Sequence, residues 1–226
     1  MHVDLLEFLS CVRPHEPSWL VASVDLIEER DIVSGRLGCP TCGTEYLIGD
    51  GVADFRIDAA HRMGSGPPGF HDATNANPQG NSDLALRAAA LLDLTTPGGF
   101  VLLAGSWSVA GFELVALLDG VHALVLNPAT HVASGYGVSV VLSSNGVPVR
   151  EGTSRGAALD AMHSTPEWIA RTAAAVRAHG RIVAPADAQI PPELSLLARD
   201  SRNWVAETTR ATASIVQIAR GRPANA

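Results

Sequence analysis

The chain reads as an α/β protein: a Rossmann-like, doubly wound, mostly parallel sheet preceded by a small zinc-ribbon module. Three observations predict this. From about Asn81 onward, short apolar runs alternate with helical patterns, the signature of strands joined by crossover helices. Phe100–Ala104 is an uninterrupted apolar run, as a strand buried on both faces requires. All three cysteines fall in the first 42 residues, in one constellation with metal-ligand spacing. The expected division is a zinc ribbon over residues 1–58, a linker over 59–80 and the α/β domain over 81–226.

Taken in order, Val3 to Leu9 reads as a short helix, with Leu5, Leu6 and Leu9 on one face. Ser18 to Ile27 and Asp31 to Leu37 have strand character, and Glu45 to Phe55 closes the unit as a strand and turn. The stretch 59–80 is rich in Gly, Pro and Asn, so it is a tether or a cover on a site. Ser82 to Leu94 is helical, with Ser82 placed to cap it. Phe100–Ala104 is a buried strand, Gly111 to Leu118 a helix, and His122–Leu126, Val138–Leu142 and Gly156–Leu159 are further strands. Pro166 to His179 reads as an amphipathic helix with Pro in its first turn. Gly180 ends it and Arg181–Ala184 is the fifth strand. Asn203 to Thr208 and Ala213 to Ala219 can pair as an antiparallel edge.

Cys11-Val12-Arg13-Pro14-His15 and Cys39-Pro40-Thr41-Cys42 give C-x3-H…C-x2-C, four ligands in two knuckles. Two knuckles supply a tetrahedron, and a filled tetrahedron leaves no open position, so the zinc is expected to be structural. The proline stiffens the second turn and Gly43 lets its amides face sulfur. The first half is less regular: His15 is the expected fourth ligand, with Glu16 or Asp25 as alternatives.

Composition narrows the function classes. The chain has 226 residues, 46% of them hydrophobic, so it can bury a core easily. Its basic residues are 16 arginines with no lysine, and the formal charge is −7. That balance argues against a general nucleic-acid binder, which needs a basic face. The N-terminus lacks the pattern of a signal peptide, and no window approaches the roughly 20 apolar residues of a membrane span. A cytoplasmic protein is expected, where reduced thiols suit metal ligation.

Residues 1–55 resemble the small zinc-ribbon family that activates tRNA, ribosomal RNA and release-factor methyltransferases, and that also occurs fused to methyltransferases in bacteria. The resemblance rests on Leu5-Leu6-Glu7-Phe8-Leu9-Ser10-Cys11, Gly35-Arg36-Leu37-Gly38-Cys39-Pro40-Thr41-Cys42-Gly43 and Glu45-Tyr46-Leu47-Ile48-Gly49-Asp50-Gly51-Val52. Leu47 and Ala53 stand where that family has prolines, and His15 replaces a cysteine with a one-residue shift. Residues 81–220 resemble class I S-adenosylmethionine (SAM) methyltransferases. Here the carriers are Val101-Leu102-Leu103-Ala104-Gly105-Ser106-Trp107, Gly146-Val147-Pro148-Val149-Arg150-Glu151-Gly152 and His179-Gly180-Arg181-Ile182-Val183.

The resemblance implies where a cofactor would sit, and there the sequence departs from the pattern. The first motif ends a strand with an acid followed by Gly-x-Gly-x-Gly. Aligned on Gly105, this chain has Leu103 for the acid, with Trp107 and Val109 for the later glycines. Asn127 stands where an acid would accept both ribose hydroxyls, and Ser144 lies where an adenine contact is common. Gly105, Trp107, Asn127 and Ser144 are therefore the cofactor-binding candidates if SAM binds. Leu103, Trp107 and Val109 are expected to fill the vacated site with apolar bulk.

Two functions follow from this. One is a degenerate methyltransferase-like protein with a structural zinc, serving as a scaffold or regulatory module that binds a protein partner or itself. The other is an active SAM-dependent methyltransferase of unknown substrate. Asp160 and His163 read either as an acid/base pair facing substrate or as a turn cap beside a surface histidine. Trp107, Trp168 and Trp204 read as core rather than as a stacking platform. No Ser-His-Asp order, Walker loop or HExxH motif is present.

Overall fold

The computed structural model describes residues 1–56, 78–144 and 146–209. Most of the expected linker and the expected strand at Ala213–Ala219 lie outside the described residues.

The strands are β1 (Val21–Glu28), β2 (Asp31–Gly38), β3 (Glu45–Gly49), β4 (Val52–Asp54), β5 (Phe100–Ala104), β6 (His122–Leu126), β7 (Val138–Leu142), β8 (Ser154–Ala158), β9 (Val176–Pro185), β10 (Leu194–Arg199) and β11 (Asn203–Thr208). They form one sheet in the order β1-β2-β3-β4-β7-β6-β5-β8-β9-β11-β10. Its centre, from β4 through β9, is parallel. Antiparallel wings flank it on both sides. The chain leaves β5 toward β6 and β7 and returns to β8 and β9 on the other side. This is a Rossmann-like doubly wound arrangement, with its switch point between β5 and β8.

The apolar runs fill both faces because alternate side chains point opposite ways. Val101 and Leu103 of β5 join Val125, Val140 and Leu114 beneath helices α1 (Pro78–Leu91) and α2 (Gly111–Leu117). Phe100, Leu102 and Ala104 face the other layer, with Ile169 and Ala173 of helix α3 (Pro166–Ala175). That second layer is completed by the N-terminal segment. Leu5 and Leu9 are buried there, and the Phe8 and Phe100 rings lie 4.4 Å apart.

The N-terminal strands therefore continue the sheet of the α/β region. Val52, Ala53 and Asp54 of β4 pair with Val140, Val141 and Leu142 of β7. The Leu9–Val149 bridge and the amide of Arg150 on the Phe8 carbonyl add a second seam. Met1, Ile32, Leu37, Tyr46 and Phe55 share one buried cluster with Leu102, Leu124 and Trp204.

Three boundaries differ from the sequence reading. The short helix expected over Val3 to Leu9 is a 3-10 helix that ends at Glu7. Helix α1 starts at Pro78, so Ser82 sits within it instead of capping it. Helix α3 ends at Ala175, not His179, because Val176 turns extended and pairs with Ser154. The following bulge, with His179 at φ 60°, is pinned where Thr208 Oγ1 donates to the Arg177 carbonyl at 2.6 Å. Strand β11 is where the sequence places it, and it pairs antiparallel with β9 on one side and β10 on the other. No helix among the described residues is long and apolar enough to cross a membrane.

Candidate functional site

The first site is the cysteine cluster. The turn Cys39–Cys42 closes where the Gly43 amide donates to the Cys39 carbonyl and the Cys39 amide to the Thr44 carbonyl, both at 2.9 Å. The segment after Leu9 brings Cys11 and His15 over this turn. One ligand atom from each of Cys11, His15, Cys39 and Cys42 lies within 4.8 Å of all the others. The Cys11 and Cys42 sulfurs are 3.7 Å apart, and Cys39 Sγ is 3.4 Å from His15 Nε2. A tetrahedral ion with metal–sulfur bonds of about 2.3 Å separates two sulfurs by about 3.8 Å and sulfur from nitrogen by about 3.5 Å. The donor set and its spacing thus fit one metal ion.

The surroundings set the thiol chemistry. Burial pushes Cys11 up to about 11, against the pull of Tyr46, whose hydroxyl lies 3.0 Å from its sulfur. The Thr44 hydroxyl and amide draw Cys42 down to about 6. Burial raises Cys39, but the amides of Cys42 and Thr41 outweigh it and leave the thiol below its ordinary value. The Cys42 sulfur therefore favours the thiolate form that a metal requires, and Cys39 is shifted in the same direction. Thr44 and Tyr46 went unnoticed in the sequence. Cys-x-Thr is a local signal that could have found the first, but nothing local places the Tyr46 hydroxyl on Cys11.

The second site is where the C-terminal ends of β5, β6 and β8 come together, the edge at which open α/β sheets bind ligands. Gly105 has φ 59°, a left-handed backbone, and a side chain there would collide with the Asp160 carboxylate. The glycine is needed for Asp160, which arrives from the end of β8. Asp160 Oδ2 accepts the Ser106 amide at 2.9 Å. Its Oδ1 accepts the amides of Met162 and His163 at 3.1 and 3.2 Å and lies 2.6 Å from His163 Nδ1. His163 Nε2 is 3.1 Å from Asn127 Nδ2. Asn127 in turn donates to the Ser143 carbonyl at 2.7 Å and accepts the Ser143 amide at 2.8 Å.

Each candidate residue now has a place. Gly105 and Asn127 meet at the crevice, joined through Asp160 and His163. The Trp107 indole does not fill the crevice as expected. It is buried in the layer beneath α1, beside Leu103, and donates to the Leu159 carbonyl at 3.2 Å. Ser144 lines a different cavity of about 640 Å³, between the Cys11–His15 segment and α3. Asp160 caps the turn, as one reading has it, but His163 is buried and bonded to it instead of lying at the surface.

Burial alone would raise Asp160, but its bonds to His163 and to the Ser106 amide hold it below its ordinary value of 3.8. A depressed folded-state value means that the carboxylate stabilises the fold fully above that ordinary value. The contribution is lost as pH falls through the lower folded value. Asp160→Asn is expected to destabilise the protein at neutral pH and to flatten the acid limb of a urea-midpoint profile. A profile parallel to wild type would remove Asp160 from this role.

No family model matches the chain, and no curated protein matches it. Several solved structures resemble it. A putative sarcosine dimethylglycine methyltransferase from Galdieria sulphuraria is 16% identical, covering 47% of this chain and 46% of its own, with a TM-score of 0.36. The chain thus spans about half of that protein's length. A putative S-adenosyl-L-methionine-dependent methyltransferase from Methanococcus maripaludis is 8% identical, covering 68% of this chain and 100% of its own, at 0.38. CalO1, a methyltransferase of calicheamicin biosynthesis in its SAH-bound form, is 15% identical, covering 67% and 66%, at 0.38.

Proposed function

We propose that this protein is a zinc-stabilised, methyltransferase-like module that acts as a protein-binding scaffold or regulatory subunit and not as a catalyst. One observation carries the reading. The Asp160 carboxylate sits on Gly105 and takes the Ser106 amide, at the turn where a Rossmann-like fold presents its backbone to a cofactor. Asn127 is committed as well: its amide group faces Ser143 and His163 and its oxygen holds the Ser143 amide. It cannot replace an acid that accepts two ribose hydroxyls, which is worth about 1.5–3 kcal/mol per charge-assisted bond.

Calorimetry with SAM and with its demethylated product tests this. The expected Kd is above roughly 100 µM, weaker than about −5.5 kcal/mol, for wild type. Asp160→Ala, which empties the space over Gly105, is the informative companion. A wild-type Kd in the low micromolar range would overturn the scaffold reading.

Zinc is the ion we assign to Cys11, His15, Cys39 and Cys42. Three thiolates and one imidazole suit it. When bound, it supplies structural cross-linking and no open position for chemistry.

The partner surface in this reading is β1, an edge strand of the sheet. Val21, Val24, Leu26 and Ile27 are exposed along it, with Trp19 just before it. Asp25, Glu28 and Glu29 punctuate the patch, so the occupant we infer is an apolar segment of another protein flanked by basic side chains. Light scattering is expected to give a monomer. A mass that rises with concentration would make the occupant a second copy. We place the protein in the cytoplasm, where its thiols stay reduced.

A second reading, an active SAM-dependent methyltransferase, is favoured by the buried Asp160–His163 pair at the switch point. The same calorimetry separates the two.

A further inference from the structure

At the opposite end of the sheet from the crevice, the N-terminal segment meets the start of β6. There three ligand-type side chains converge that neither site above uses. One ligand atom each from His2, Asp4 and His122 lies within 4.8 Å of the others. The two imidazole centroids are 4.8 Å apart and the rings are inclined by 48°. Two imidazoles bound to one ion, with metal–nitrogen bonds of about 2.1 Å, place their centroids about 4.6–5.3 Å apart at octahedral to tetrahedral angles.

The carboxylate is set for the same point. Asp4 Oδ1 accepts from Arg30 Nη2 at 2.6 Å, while Oδ2 lies 3.6 Å from His2 Nδ1. A hydrogen bond of this kind, to the oxygen away from the ion, orients a ligating carboxylate. His2 Nδ1 accepts the Asp4 amide at 3.3 Å, a long bond for an N–H donor and one that a metal ion would replace. Next to the cluster is a cavity of about 300 Å³, whose other walls include Leu5, Phe8, Phe100 and Leu124.

We propose that His2, Asp4 and His122 bind one divalent transition-metal ion, distinct from the ion of the cysteine cluster, with an open coordination position facing this cavity. Two imidazoles and one carboxylate form a borderline donor set that suits Zn(II), Co(II), Ni(II) or Fe(II) and is too poor in oxygen for Ca(II). The ligands come from two segments distant in sequence, so the ion would fasten the N-terminal segment to the start of β6. Arg30 is a positioning residue: it touches Asp4 and not the ion.

The test is a Co(II) titration of the full chain, carrying no histidine tag, followed by calorimetry and absorbance. The expected result is one equivalent that binds without thiolate-to-cobalt charge-transfer absorption, beside any equivalent that shows it. That band separates the two sites, so the outcome does not depend on whether the cysteines bind zinc. His122→Ala and Asp4→Asn should each remove or weaken the equivalent lacking the band and leave the other unchanged. Asp4 is half-exposed, so its variant decides the matter if His122→Ala does not fold. Arg30→Ala should lower the affinity about tenfold. The absence of such an equivalent at saturating cobalt, or its persistence undiminished in Asp4→Asn and every folded histidine variant, would overturn the proposal.

Discussion

Cys39→Ser, or removal of the metal with a chelator, is expected to unfold the protein as one unit instead of loosening its N-terminal quarter alone. The sequence suggests the milder outcome, a small ribbon that melts beside an intact α/β domain. The structure argues otherwise. Leu37, Cys39, Tyr46 and Phe55 belong to the same buried cluster as Leu102, Leu124 and Trp204. Strand β4 is hydrogen-bonded to β7, and Leu5 and Leu9 are buried in that same cluster. Structural zinc in small units supplies about 10–16 kcal/mol of apparent folding free energy. A whole domain has only about 5–15 kcal/mol of net stability. Without the metal, Cys11 and Cys39 retain part of their packing, so the full amount is not lost, but the remainder is large enough to move the global transition. Thermal melts followed by circular dichroism should show one transition, shifted down by well over about 10 °C. A main transition that stays at the wild-type temperature would show that the two regions fold independently. Less than about a tenth of an equivalent of zinc in protein purified without added metal would remove the premise.

Writing the methyltransferase residues at positions 107 and 127 into this chain, as Trp107→Gly with Asn127→Asp, is expected to damage the fold before it confers SAM binding. Trp107→Gly removes a buried indole; truncation of a buried tryptophan to alanine costs about 3–5 kcal/mol, and glycine adds about 0.5–1 kcal/mol of backbone entropy. Asn127→Asp turns a carboxylate oxygen toward the Ser143 carbonyl, now 2.7 Å from the amide nitrogen. It also withdraws the donor beside His163. Leaving such buried groups unmatched costs about 1–3 kcal/mol. The two residues meet through the Leu159–Asp160 segment, so the effects need not add. Even so, the double variant should lose about 4–7 kcal/mol, most of a typical domain's stability. Urea unfolding measures it. A double variant with the wild-type midpoint and measurable SAM affinity would mean that Trp107, not Asp160, closes the crevice.

What the sequence determined by itself is local. Strands β5, β6 and β7 match the sequence reading to the residue because their runs are short, mostly apolar and flanked closely by glycine or polar residues. The cysteine and histidine spacing placed the metal-type cluster, because two tight knuckles bring four ligands together in almost any fold that joins them. The doubly wound order followed from alternation of strands and helices. Tertiary structure decided the rest. Helix α3 stops at Ala175 because Val176 finds a partner in β8. Strand β10 went unread because an edge strand exposing Leu196 and Leu197 has no burial pattern to read. The joining of β4 to β7 is a backbone event and leaves no side-chain signature. The contact at Gly105 is the furthest from sequence. Gly105 looks like the remnant of a cofactor loop until Asp160, from the end of another strand, is found seated upon it. Hydrogen bonds between distant segments depend on where the whole sheet delivers its strand ends, and no short window of residues encodes that.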